Sequence, residues 1–212
     1  MDRAGKLNLT MSEPQPQRLT THPGWLRATH WLNALAVLVM VTSGWRIYDA
    51  SPLFSFLEFP NAITLGGWLG GALLWHFAGM WLLFANGVFY LIMGIVTGRF
   101  RRQLFPLRPV QIWRDLVAAI RGQLSHDDLT KYNAVQKLAY VVAIIDLVVI
   151  VLSGLVVFKP VQFPLLRTVM GGYEGARIVH FACMAILVAF VLVHVVMAAA
   201  VPRTILAMIR GR

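Results

Sequence analysis

"GARIVHFACMAILVAFVLVHVVMA", residues 175–198, decides the fold. It runs for more than twenty residues with one charge, Arg177, near its start, and a helix of about 20 apolar residues crosses the hydrocarbon core of a bilayer. Yet it holds two imidazoles, His180 and His194. At 14 residues apart they fall within about 40° of four whole turns, so both look out of one face, roughly 21 Å apart along the axis. A lipid-soluble helix with two polar groups on one face is expected to turn that face toward other helices.

Three more stretches, about 26–46, 66–96 and 138–158, are apolar enough to join it. Of 212 residues, 58% are hydrophobic and 13% charged, with a mean hydropathy of +0.67. Soluble domains run at roughly 45–50% and about 25%. The expectation is an all-α integral membrane four-helix bundle forming one domain over 25–205. Residues 1–24, polar and Pro-containing with no apolar core, read as a flexible tail and not as a cleaved signal peptide; 206–212 read as a basic C-terminal tail.

The net charge of +10 suggests nucleic acid until the 19 basic residues are placed. Fifteen lie in the N-terminal tail with Arg27, the central loop with its flanks, and the C-terminus; Arg46, Lys159, Arg167 and Arg177 lie on the opposite side. By the positive-inside rule, both termini and the central loop face the cytoplasm of a bacterial inner membrane. No nucleic-acid motif accompanies the charge. In the central loop, "PVQIWRDLVAAIRGQL" (109–124) puts Ile112, Leu116, Ala119 and Ile120 on one face and Arg114, Asp115 and Arg121 elsewhere, the pattern of a short helix lying in the membrane surface. Ser125 or Asp128 is expected to cap the helix that follows. Cys183 is the single cysteine, which excludes an intramolecular disulfide, and no CxxCH occurs for thioether-linked haem.

Six histidines remain to be explained. His22 and His126 fall in polar segments and read as solvated, but His30, His76, His180 and His194 fall in apolar ones. For any one of these, an interhelical hydrogen bond explains as much as a ligand role. Four together favour function, because polar groups inside a bilayer are costly. Following the chain through the membrane sorts them by depth, with His30 and His194 near the inside and His76 and His180 near the outside. Two neutral imidazoles at one level can ligate iron above and below a planar macrocycle. The expected cofactors are therefore two stacked haems b, bound by His30 with His194 and by His76 with His180. Zinc fits poorly, since its ligands converge at one depth. Asp146, the one intramembrane carboxyl, reads as an interhelical hydrogen bond ahead of a proton-transfer group.

Arg27 and Arg177 each precede a histidine by three residues, and Arg46 lies at the outer end of the first helix. All three suit haem propionates by charge-assisted pairing, and interfacial snorkelling explains any one of them equally well. Gly66, Gly67, Gly70, Gly71 and Gly79 surround His76, where small residues admit either a macrocycle or a neighbouring helix. Trp25, Trp31, Trp45 and Trp68 read as an aromatic belt.

"HPGWLRATHWLNALAVLVMVTSGWRIY" (22–48), "WHF" (75–77), "YNAVQKLAY" (132–140) and "GYEGARIVHFACMAILVAFVLVH" (172–194) resemble the bacterial cytochrome b561 family, which includes the cytochrome b subunits of nickel–iron hydrogenases. The resemblance covers about residues 22–205. No fifth apolar stretch like that of some hydrogenase subunits is seen. It implies haem ligation by His30, His76, His180 and His194, and electron transfer between a quinone pool (ubiquinone or menaquinone) and a periplasmic redox partner such as a molybdopterin oxidoreductase. Asn133, Gln136 and Tyr140 are the candidate quinone contacts, or else a helix cap and anchor. Loops 49–64 and 159–175 are the docking surface, or rest on lipid headgroups. Some relatives oxidise superoxide and reduce ubiquinone, for which Lys159, Arg167 and Arg177 supply an attractive charge. A haem-free membrane anchor is the remaining alternative, and the depth-sorted histidines argue against it.

Overall fold

The computed structural model describes residues 22–121 and 133–211. Of the expected tail over 1–24, residues 1–21 lie outside them, as do Ser125, His126 and Asp128, while 22–24 lead into the first helix. Among the described residues the chain is helical without strands. Four long helices form the frame: α1 (Gly24–Ala50), α2 (Leu69–Val96), α5 (Ala134–Phe158) and α7 (Gly172–Ala200). Four short ones join or extend them: α3 (Arg99–Gln103), α4 (Pro109–Ile120), α6 (Pro164–Val169) and α8 (Pro202–Arg210). Residues 206–210, within the expected basic tail, thus belong to a helix.

Helices α2, α5 and α7 are long and apolar enough to cross a membrane. At 27 residues, α1 matches them in length but carries more polar side chains. Those side chains turn inward: Thr29 is buried and donates to the Leu26 carbonyl of its own helix, while Ser43 and Asn33 meet α2. The exterior is apolar, with Leu74, Ile95, Leu38 and Leu192 all exposed, while Asn86, Asp146 and Ser153 are buried. A molecule whose surface is oilier than its seams has lipid as its solvent.

The helices pair as α1 with α2 and α5 with α7, both antiparallel. On the first pair, Ser43 meets His76 and Asn33 meets Asn86, so the chain of contacts runs up one helix and down the other. Small residues allow the close approach: a Cβ on Gly79 would lie 3.1 Å from Met40 and Val39. On the second pair, Ser153 meets His180 and Tyr140 meets Phe190. Asp146 of α5 and Cys183 of α7 are both buried along the same seam. The Asp146 Oδ2 is buried with no partner among the described residues.

The amphipathic stretch expected over 109–124 is helix α4 as far as Ile120, with Val110 and Trp113 exposed; 122–124 and the side chains of Ala119 and Ile120 lie outside the described residues. It lies against α5, where the Asp115 carboxylate accepts from the Ala134 N–H at 2.8 Å. A negative charge at a helix N-terminus is favourable there. The cap of α5 is Asn133 and neither Ser125 nor Asp128: Asn133 Oδ1 accepts from Gln136 N–H at 2.8 Å and Gln136 Oε1 from Asn133 N–H at 3.1 Å, a reciprocal capping box.

Candidate functional site

Helix α7 presents His180 and His194 to two different neighbours. The ring of His194 faces His30 of α1 at 6.0 Å between centroids, and that of His180 faces His76 of α2 at 6.4 Å. The pairing by depth is thus the pairing in space.

Those distances are informative. Two imidazoles joined by a direct N–H···N bond of about 2.9 Å stand about 5.2 Å apart between ring centres. With one metal ion between them, at about 2.0–2.1 Å from each nitrogen, they stand about 6.4 Å apart. Both pairs stand farther apart than a direct bond would hold them, and the 6.4 Å of His76 and His180 equals the spacing about one bound metal. Among the described residues no three His, Cys, Asp or Glu side chains converge on one point, so each level offers two nitrogens and no more, the donor set of an axially ligated planar macrocycle.

The His76–His180 level is held by groups the sequence does not advertise. Ser43 Oγ lies 3.1 Å from His76 Nδ1, and Ser153 Oγ lies 3.1 Å from His180 Nδ1. His180 Nδ1 is also 3.0 Å from the Ile150 carbonyl. A carbonyl only accepts, so Nδ1 carries the proton and Nε2 keeps its lone pair. Gly44 and Gly154 follow the two serines, and a Cβ on either would stand 3.3 or 3.2 Å from the imidazole Cε1. The glycines that crowd these rings are therefore Gly44 and Gly154. Gly66 and Gly67 serve instead in the turn before α2, with φ of +106° and +70°, where a side chain would be strained. The available signal was the dipeptide Ser-Gly, present near the far end of both α1 and α5.

Residues 21–211 match the family described as prokaryotic cytochrome b561. The chain belongs to that family. It is also 62% identical over 190 residues, 90% of this chain and 96% of the other, to a protein of Azospira oryzae named "Putative protein-methionine-sulfoxide reductase subunit YedZ1". As a cytochrome b561, the chain is a bacterial membrane protein that transfers electrons across the membrane through b-type haem.

The three arginines considered for haem propionates each hold a protein partner. Arg27 Nη1 donates to the Ile209 carbonyl at 2.7 Å, tying α1 to α8, while its Nε is buried without a partner among the described residues. Arg46 donates to Asn61 Oδ1 at 2.8 Å. Arg177 pairs with Glu174 at 2.9 Å and donates to the Ser51 carbonyl. Lys159 lies over the Phe158 ring, so with Arg177 paired to Glu174 the basic patch proposed for superoxide is partly neutralised. Asn133 and Gln136 use their oxygens in the capping box, which leaves the cap without need of their amide N–H groups. Tyr140 meets Phe190 at 6.5 Å, and Phe190 stacks on His194 at 5.8 Å. His22, read as solvated, is half-buried, and its Nδ1 is enclosed without a partner among the described residues.

Proposed function

We propose that the chain carries electrons through two haems b, one held by His30 and His194 and one by His76 and His180, between a quinone and a redox enzyme outside the cytoplasm. The carrying observation is a pair of neighbouring imidazoles at each of two levels, 6.0 and 6.4 Å apart between ring centroids. Haem supplies one-electron chemistry; the protein fixes its position, its axial nitrogens and the polarity around it. Arg27, with its buried unpartnered Nε, and Arg46 and Arg177 at the opposite end are the candidate propionate partners.

With basic flanks facing inward, four helices cross the membrane, both termini lie in the cytoplasm, and the His30–His194 level is the inner one. The quinone site is at the start of α5, where the amides of Asn133 and Gln136 can donate to a quinone carbonyl and Tyr140 and Phe190 lead to His194. The oxidoreductase partner docks on the opposite face, where Phe56, Val161 and Leu165 are strongly exposed. The name of the Azospira relative makes a protein-methionine-sulfoxide reductase the partner class of choice, so electrons run from quinol to the reductase.

A reduced-minus-oxidised visible spectrum with haem quantitation tests this directly. Two low-spin haems b per chain are expected. A colourless, fully folded preparation would overturn the reading, and normal haem reduction by quinol in a Gln136→Leu variant would remove the quinone site.

A further inference from the structure

The two histidine levels are bonded differently, and at one of them the same arrangement occurs twice. Ser43–Gly44 of α1 faces His76, and Ser153–Gly154 of α5 faces His180, with equal Oγ to Nδ1 distances of 3.1 Å. Each hydroxyl hydrogen has a carbonyl of its own helix to go to, Val39 at 2.6 Å or Ile150 at 3.1 Å. The serine oxygen is thereby left to accept from the imidazole Nδ1–H, which at His180 is shared between Ser153 Oγ at 3.1 Å and the Ile150 carbonyl at 3.0 Å. The glycine beside each serine leaves room for the imidazole, since a Cβ on Gly44 or Gly154 would stand 3.3 or 3.2 Å from the ring Cε1. At the other level, His30 Nδ1 is buried with no hydrogen-bond partner among the described residues. The ring contacts of His194 are with His30 and Phe190.

An N–H that donates from the far side of an imidazole pushes electron density onto the ligating nitrogen, which stabilises the more highly charged, oxidised metal. Resting on the two-haem reading above, we propose that Ser43 and Ser153 are positioning residues that make the His76–His180 level the lower-potential one of the two. The level facing the partner enzyme is then the stronger reductant. The outward step toward it falls in midpoint potential and so runs uphill in free energy, and a membrane potential positive outside offsets that cost.

The test is a potentiometric titration of the purified full chain, followed in the visible spectrum, with haem content measured on each sample. Wild type should show two midpoints. Ser43→Ala and Ser153→Ala should each raise the lower midpoint and leave the upper one in place, with about a tenfold change in the reduction equilibrium, 59 mV for one electron, in the double variant. Ser43→Thr and Ser153→Thr, which keep the hydroxyl, should hold the wild-type value. Movement of the upper midpoint alone, or of neither with both haems bound, would overturn the assignment. Should the alanine variants lose haem, His30→Ala decides: the haem that remains must titrate at the lower midpoint, and titration at the upper one overturns the proposal. Colourless wild type would instead strike down the two-haem reading, and the inference with it.

Discussion

The two histidine levels solve one problem, holding a ring still inside lipid, by different means. At His76 and His180 the rings are held by hydroxyls and admitted by glycines where a Cβ would crowd them. At His30 and His194 they are fixed by aromatic neighbours: Trp31 meets His30 edge-on at 5.1 Å, and Phe190 stacks on His194 with 13° between planes. A hydrogen bond selects which nitrogen bears the proton, whereas stacking sets only the plane of the ring. One level is thus chemically determined by its surroundings, and the other is packed but electronically freer.

The most severe way to break this comparison is to remove a ligand from each level. His180→Ala and His194→Ala should each lower haem content from two to one per chain, measured as the pyridine haemochrome. The surviving haems should differ in spectrum and midpoint. Loss of both haems from His194→Ala, with the helical circular dichroism unchanged, would show that the levels are not independent.

Next in size is crowding. Gly154→Val places a branched side chain where even a Cβ would sit 3.2 Å from His180 Cε1, and overpacking of this kind costs about 1–3 kcal/mol. The haem of the His76–His180 level should be lost preferentially. Gly87→Ala on α2, where nothing lies within 4 Å of the added atom, should leave haem content and stability alone. Equal effects from the two would mean that Gly154 is there for helix packing and not for the imidazole.

Smaller still is the effect of the seam that carries both levels on the α1–α2 side. Asn86 donates to the Thr29 carbonyl at 2.8 Å and to Asn33 Oδ1 at 2.7 Å, close to His30 in sequence and depth. Interhelical hydrogen bonds in membranes contribute about 0.6–2 kcal/mol. Asn86→Ala should therefore lower the thermal midpoint in detergent by a few degrees and loosen the His30 level before the His76 level, seen as earlier loss of one haem band on heating. Simultaneous loss of both bands would erase the distinction.

Much of this was legible in the sequence because depth in a membrane can be counted. Four apolar runs and their basic flanks place His30 with His194 and His76 with His180 without knowledge of any contact. What could not be read was cross-helix register. Ser43, Gly44, Ser153 and Gly154 matter only because antiparallel packing sets them against an imidazole more than twenty residues away, and nothing in local periodicity reports that. The glycines around His76 drew attention by proximity in sequence, yet the turn before α2 and the packing of Gly79 on α1 absorb three of them. Arg27, Arg46 and Arg177 were likewise placed near the correct ends, but the carbonyls and side chains that hold them come from loops and from α8, whose positions follow from tertiary structure. The α5 cap shows the opposite case: Asn133 followed three residues later by Gln136 is a local signal, and the cap expected of these residues as the alternative to a quinone contact is present.

The smallest expected effect concerns the approach to the His30 level. His22 stands just before α1, and burial lowers its pKa below the ordinary 6.5, with the Arg99 and Arg27 charges acting in the same direction. The unfolded chain therefore takes up this proton at higher pH than the folded one. The resulting contribution to stability is intact above about pH 6.5 and is lost as pH falls through the lower, folded-state value. Because the side chain is half-exposed, solvent and salt screen much of it. Thermal midpoints of wild type and His22→Gln, measured in detergent at steps from pH 7.5 down to pH 5, should run parallel at the upper end and converge or cross at the lower. The wild-type haem at the His30–His194 level should be the first to loosen, since a charged His22 would push against Arg27, which ties α1 to the Ile209 carbonyl of α8. A constant offset between the two proteins across that range would mean that His22 acts by shape alone, and that the acid sensitivity of this end of the bundle has another source.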